Sequence, residues 1–358
     1  MEGYLSMKKF FALFLVFLLV FSASPAAAKM VVEDEPIVSS APADPGYGYK
    51  ACDSLINDIN SSIDSLVQTG GIGNVKALSL KKKLSDIAAL AAKSRSENIP
   101  AEDLRAINSE LGTIFSEVEG LLGLTRGGEN SAALAPVKEK IERLSANSGN
   151  FDSCNGLTNA ALKSKLHELV KDHKSLGYSS QARVVLFSKL DNVGGKVRCV
   201  YTGREVACNG VPNANPPQAM NTEHTWPKSL GAGSEPAKSD LNHLYPTDTF
   251  ANSTRSSFPF GEFPENSATW AQGGSAFNGK VYMPREDHRG KVARAYFYFS
   301  VRYNIAIPDA EEKVLKEWNK KYPVVPVEVK RDDVIFQYQG NRNPFVTRPD
   351  FADKIDNF

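Results

Sequence analysis

Asn221-Thr222-Glu223-His224-Thr225-Trp226-Pro227, then Ser239-Asp240-Leu241-Asn242-His243-Leu244-Tyr245-Pro246-Thr247-Asp248, then Asn252-Ser253-Thr254-Arg255-Ser256-Ser257-Phe258-Pro259-Phe260-Gly261-Glu262 are the three segments that decide how this chain reads. They lie between Cys199 and Phe263, where proline and glycine break any helical pattern and short strands and loops are expected. Glu223 and His224 are neighbours, and neighbours on a regular strand point to opposite faces. If both serve one site, the strand must twist or end there. Pro227, poorly tolerated inside a ladder, agrees with a strand end. All five histidines and all three tryptophans lie beyond residue 150, so candidate chemistry is confined to the C-terminal part.

Together with Val292-Ala293-Arg294-Ala295-Tyr296-Phe297-Tyr298 and Gln339-Gly340-Asn341-Arg342-Asn343-Pro344-Phe345, these segments resemble the endonuclease I family of secreted and periplasmic nucleases over most of residues 152–351. The resemblance implies an α+β domain with a ββα-metal, or His-Me finger, site: two strands and a connecting loop, then a helix. It implies His224 as general base, Glu223 as a metal-binding carboxylate and Asn252 as a helix-borne amide ligand. Asp240 and His243 are expected to support the site through hydrogen bonds. Arg255, one helical turn after Asn252, is expected to reach a phosphate. Between His224 and Asn252 there is no arginine to meet the leaving oxygen, which leaves Lys228, Lys238 and Arg255 as candidates. His167, His173 and His288 are expected to do no chemistry.

Such a set suits hydrolysis of a phosphodiester. The anionic phosphate needs a base to activate water and positive charge to absorb what builds on the leaving oxygen. A neutral imidazole is such a base near pH 7, with an unperturbed pKa of roughly 6.5. One carboxylate and one amide oxygen form a sparse, hard set that favours Mg2+, with Mn2+ or Ca2+ as alternatives, over zinc. The expected substrate is nucleic acid, DNA with RNA left open, cut with little sequence preference to leave 5′-phosphate ends. A competing reading is an extracellular DNA-binding or surface-attachment protein without catalysis.

The rest of the 358 residues frames that domain. Residues 1–28 join Lys8 and Lys9 to an apolar run and end on Ala26-Ala27-Ala28, as a secretory signal peptide does. The run is short for a bilayer and no later segment is more apolar, so no membrane span is expected and the mature chain should be secreted or periplasmic. Residues 29–47 read as a flexible leader. From 48 to 150, apolar residues recur at helical spacing around Leu55 to Leu66, Leu80 to Ile87, Leu104 to Val118 and Leu134 to Leu144. That predicts an all-α bundle of four helices, whose partner the sequence does not name. In the nuclease-like domain, 151–358, helices are expected at 158–174, 180–190 and 291–304.

The four cysteines favour two disulfides in an oxidising compartment, and a hairpin turn at Gly203 makes Cys199 with Cys208 and Cys52 with Cys154 the preferred pairing. Net charge is +1 overall, but residues 152–358 carry 27 Lys and Arg against 23 Asp and Glu, while 29–151 come to about −4. That imbalance mildly favours a polyanion at the C-terminal part.

Overall fold

The computed structural model describes residues 151–358 without a break, the helix α1 (Asn74–Glu97), and scattered residues between 53 and 73 and at 146 and 149. The expected signal peptide, the leader, Cys52 and the third and fourth helices of the expected bundle lie outside the described residues. In the part that is described, Ile56, Ile59 and Ile63 are buried at three-and-four spacing, as are Ala77, Leu80 and Leu84 on α1. Lys81 Nζ meets Asp64 Oδ1 at 2.5 Å and ties the two stretches together.

Residues 151–358 form a mixed α+β unit whose strands make three small antiparallel sheets. The helix α2 (Asn159–Val170) buries Leu162, Leu166, Leu169 and Val170. It stops short of the expected residue 174, where the Lys174 amide turns away to donate to the Gln339 carbonyl. A wide-turned helical stretch follows over Gly177–Ala182, Arg183–Val185 and Leu186–Leu190. Strands β1 (Asn192–Val193), β2 (Lys196–Arg198) and β3 (Glu205–Ala207) make the first sheet. Strands β4 (Met220–His224) and β5 (Leu244–Asp248) make the second, and α3 (Thr249–Arg255) leaves directly from β5. Strands β6 (Trp270–Gln272), β7 (Ser275–Phe277) and β8 (Tyr282–Met283) make the third.

The long helix α4 (Glu286–Tyr303) is the centre of the core. Val292, Ala293, Ala295, Tyr296, Phe297, Tyr298, Phe299 and Val301 are all buried, so it is covered on every side, as a helix without a polar face must be. It packs against α2 and against α5 (Asp309–Lys321), and α6 (Pro326–Gln339) follows. It begins earlier than expected because Glu286 and Asp287 suit the positive N-terminal turn, and it ends on Asn304 in a left-handed conformation.

Two polar features of this core bear on the region around β4 and β5. Asp240 is fully buried and is met by four donors: Tyr298 and Tyr303 hydroxyls on Oδ2 at 2.8 and 2.9 Å, and the Gln339 amide and the Asn242 backbone N–H on Oδ1 at 3.0 and 3.1 Å. Burial alone would push this carboxyl up, but the charge that His173 and His243 can carry and the donated hydrogen bonds outweigh it and hold the group at about 2.

The second feature corrects an expectation. Cys199 and Cys208 do not pair: both are free and buried, while Cys52, the other half of the second expected pair, lies outside the described residues. The hairpin register explains it, since Lys196 faces Ala207 and Arg198 faces Glu205. Cys199 therefore lies opposite Arg204 and Cys208 opposite Gly195, at the two ends of the ladder. At roughly 3.3 Å per residue the sulfurs stand about 13 Å apart, beyond the reach of a disulfide. Cys199 Sγ instead accepts N–H groups of Tyr201, Thr202 and Asp248 at 3.4, 3.2 and 2.9 Å. Alkylating the unfolded protein without reductant, followed by peptide mass analysis, should label both Cys199 and Cys208; a linked peptide would contradict the register.

Asp240→Asn should cost about 3 kcal/mol in denaturant unfolding, because an amide cannot accept from all four donors. The acid limb should change with it. In the unfolded chain the carboxyl takes its proton near 3.9, and in the folded chain near 2, so its stabilisation is complete above about pH 4 and is lost as pH falls toward 2. The variant should show a flatter decline of stability across that window.

Candidate active site

The β4 and β5 strands pair antiparallel from Met220 opposite Asp248 to His224 opposite Leu244. Asp248 then caps α3, its side chain accepting from the amides of Phe250 and Ala251, and an Arg204 ion pair at 2.8 Å fixes that carboxylate. Two strands and a helix thus converge, and β4 ends at His224, as Pro227 suggests.

The alternation of a strand persists up to that end. The Glu223 carboxylate turns to one side, where Oε1 accepts from the Tyr201 hydroxyl at 2.6 Å and faces Arg255 Nη1 at 3.3 Å. Burial pushes this carboxyl up while Arg255 and the Tyr201 hydrogen bond pull it back, and the balance lies above the ordinary carboxylate value. Burial beside Glu223 likewise keeps Tyr201 a neutral phenol, able to donate. On α3, Asn252 Nδ2 donates to the Thr222 carbonyl at 3.3 Å, pinning the helix to β4. Glu223 Oε2 and Asn252 Oδ1 make no hydrogen bond among the described residues, which leaves two hard oxygens at the seam of β4 and α3.

His224 turns to the other side. Its ring lies against Tyr178 and His243, with centroids 5.1 and 5.5 Å away, and its Nε2 is 3.0 Å from the Lys238 carbonyl. A carbonyl only accepts, so Nε2 must carry the proton, and Nδ1 holds the lone pair. Burial, then the charges of His243, Lys228 and Lys238, hold the imidazole well below the usual histidine range, against the pull of the Lys238 carbonyl. The ring is neutral at pH 7, with one nitrogen committed and the other open as a base. The side chains of Glu223 and His224 do not hydrogen-bond to each other.

His243 braces this arrangement. Its Nε2 donates to the Ala237 carbonyl at 2.7 Å, next to the residue whose carbonyl holds His224, and Asp240 caps the turn that carries His243. His173 joins the buried network with Nδ1 3.9 Å from Asp240 Oδ2, while His288 is packed edge-on against Tyr201 and Tyr245.

Arg255 differs from expectation. It is buried, and its guanidinium is spent inside the protein: Nη1 donates to the carbonyls of His224 and Ser256, both at 3.2 Å, and Nη2 to the Thr225 carbonyl at 2.7 Å and the Tyr296 hydroxyl at 3.1 Å. Its flat face lies 4.4 Å over the Phe260 ring. With its donors spent on these groups, it clamps the end of β4 to α3 and α4. Tyr201, Tyr178 and Tyr296 escaped the sequence reading because an aromatic residue in a turn or on a buried helix carries no mark of the carboxylate or imidazole it will touch.

Among the described residues no cluster of three or more His, Cys, Asp or Glu side chains could hold a metal ion. A cation here would rest on the two oxygens at the seam. That fits a hard, largely hydrated divalent ion and does not fit zinc.

A family model described as Endonuclease I matches residues 158–350, the stretch that contains β4, β5, α3 and α4. The chain belongs to the Endonuclease I family. Similar proteins include the extracellular ribonuclease of Bacillus subtilis (strain 168), 33% identical over 57% of this chain and 77% of the relative. The extracellular ribonuclease of Bacillus amyloliquefaciens is 32% identical over the same shares. Endonuclease-1 of Buchnera aphidicola subsp. Acyrthosiphon pisum (strain APS) is 36% identical over 30% of this chain and 44% of the relative. As a member of the Endonuclease I family the chain is an endonuclease, and its substrate is nucleic acid. The matched span leaves α1 and everything before residue 158 outside the family model.

In this endonuclease Arg255→Gln strands the Glu223 carboxylate in the core and frees the end of β4. Equilibrium unfolding should show a loss of about 3–5 kcal/mol, as when one partner of a buried ion pair is removed. A loss below about 1 kcal/mol would mean that the guanidinium is not the clamp described.

Proposed function

We propose that this endonuclease is a secreted or periplasmic, divalent-metal-assisted enzyme that hydrolyses phosphodiester bonds of DNA and RNA with little sequence preference, using His224 as general base. The observation that carries the reading is the commitment of His224 Nε2 to the Lys238 carbonyl, which leaves Nδ1 unprotonated and open. Nδ1 takes the proton from the attacking water. The developing imidazolium keeps its Nε2 hydrogen bond throughout, so the ring does not rotate during transfer. His243 and Asp240 hold the Ala237–Ser239 turn from which that bond comes.

Glu223 and Asn252 would hold the metal, with Mg2+ the best match to two oxygen donors completed by water and phosphate oxygens. When bound, the ion supplies positive charge against the scissile phosphate and the departing 3′ oxygen. Departure on that side leaves the phosphate on the 5′ end. Tyr201 and Arg255 hold Glu223 Oε1, so that the other carboxylate oxygen keeps one direction. Lys228 and Lys238, whose charges reach His224, supply the cationic side of the cleft in place of Arg255. In this reading the domain is a ββα-metal, or His-Me finger, nuclease. The signal-like residues 1–28 and the names of the Bacillus relatives support secretion, and among the described residues no helix is long and apolar enough to cross a membrane.

Purified protein should cut plasmid DNA and total RNA in Mg2+ and stop on chelation. His224→Ala should lower turnover by roughly 10²- to 10⁴-fold, the worth of a positioned base, with the folded state intact by circular dichroism. Activity within a few-fold of the parent would remove His224 from the mechanism.

A further inference from the structure

Beside the proposed site, an aromatic chain runs over the outer face of α3 and the third sheet. Phe250 is 57% exposed and lies 6.5 Å from Trp270; Trp270 stacks on Tyr282 at 5.9 Å. Tyr282 then leads to Phe277 at 6.4 Å, and Phe277 to Phe258, 38% exposed, at 4.7 Å. Burial explains Tyr282 but not Phe250 and Phe258, which leave their rings in water on a protein that keeps its other α3 apolar residue, Ala251, fully buried. Residues two apart on an α-helix are about 200° apart, so Asn252 faces β4 while Phe250 faces solvent. A polymer held at the seam by Asn252 would continue across the helix onto these rings.

The charge of the face selects the polymer. Residues 249–261 and 266–285 contain no Asp or Glu; of their cations Lys280 is exposed, Arg285 pairs with Asp287 at 2.6 Å, and Arg255 is buried. Two acids lie between the runs: Glu262, occupied by Arg289 at 3.2 Å and by the Trp318 indole at 2.8 Å, and the exposed Glu265. Ser256 and Ser257 bring hydroxyls to the gaps, while those of Ser253, Thr254 and Thr269 donate to the carbonyls of Thr249, Phe250 and Phe277. A surface with few acids, flat apolar rungs and the exposed Lys280 suits an anionic backbone whose bases are unstacked and open to rings. A duplex hides those base faces.

We propose that Phe250, Trp270, Phe277 and Phe258 form a stacking subsite for an unpaired nucleic-acid strand, which gives this endonuclease a preference for single-stranded over duplex substrate. The proposal rests on the nuclease reading for its consequence in cleavage, but binding tests it alone. Trp226 and Trp318 are buried, so Trp270 is the tryptophan able to report contact by fluorescence. The probes are a 12-nucleotide uridine- or thymidine-rich single strand and the matching blunt duplex, titrated in chelator at fixed salt so that nothing is cut.

The parent protein should bind the single strand more tightly than the duplex and lose tryptophan emission as it does. The double variant Phe250→Ser, Phe258→Ser should lose roughly tenfold or more of its single-strand affinity, the size expected for removed base-stacking rings. In Mg2+ its KM for the single strand should rise similarly, and the ratio of single-strand to duplex cleavage should fall. Val327→Ser, on an exposed apolar residue of α6, is the control and should leave that ratio in place. Equal loss on both probes, no loss, or an unchanged ratio would overturn the subsite. So would gel filtration showing a parent dimer that the double variant breaks, because a second copy of the chain would then cover the face. If strand binding follows the rings but nothing is cut, the nuclease reading fails and the subsite stands; if cleavage is normal and the rings do not matter, the reverse holds.

Discussion

One buried guanidinium, that of Arg255, holds together the parts on which everything else depends. It meets the last carbonyl of β4, the next carbonyl beyond it, the Glu223 carboxylate and the Tyr296 hydroxyl of the central helix. These groups come from separate parts of the fold, and two strands joined to a seven-residue helix have little apolar area of their own to bury. A planar group with five donors can satisfy three carbonyls and a carboxylate at fixed angles, which a lysine cannot. The ion pair with Glu223 also removes the penalty of a lone buried charge on either partner. Strand end, carboxylate direction and helix position are therefore set by the same side chain.

A second network sets the imidazole. His224 depends on a backbone carbonyl at Lys238, and that carbonyl belongs to the short turn Ala237–Ser239 that His243 and Asp240 hold from behind. Asp240 reaches across to Tyr298 and Tyr303 at the end of α4 and to Gln339 at the end of α6. The two networks meet the same central helix at different places, Arg255 at Tyr296 and Asp240 at Tyr298. Residues two apart on that helix face different ways, so one rigid element anchors the carboxylate of β4 through Tyr296 and Arg255, and the turn behind the imidazole through Tyr298 and Asp240.

The strand end at His224 was legible from Pro227, and the two strands followed by a helix were expected from the family resemblance of the ordered polar segments; the Asp248 cap that starts the helix was not read from the sequence. The helix boundaries were less legible. The α4 helix gained its first turn from Glu286 and Asp287, which carry no apolar periodicity, and α2 lost its last residues to a hydrogen bond with Gln339, far along the chain. Cys199 and Cys208 misled for a related reason. A turn at Gly203 is visible in sequence, but the register that sends the sulfurs to opposite ends of the ladder is fixed by pairing. Arg255 misled because helical spacing gives a direction around the helix, and only tertiary packing says whether that direction is solvent or core.

If Glu223 and Asn252 hold a cation as proposed, the charge balance of the seam would account for so sparse a donor set. Glu223 and Arg255 together are neutral, so before any cation arrives the seam carries little net field, and a carboxylate already sharing its charge with a guanidinium binds a metal weakly. Mg2+ gives up its waters reluctantly and is usually held by one or two carboxylates together with substrate phosphate. In that reading a phosphodiester would supply the missing negative charge, and the ion and the substrate would each improve the site for the other. A fully acidic cage would bind the ion without substrate, and it would repel the phosphate. Under the proposed function Arg255 would keep the phosphate admissible by weakening the negative field at Glu223, while its own donors stay on groups inside the protein.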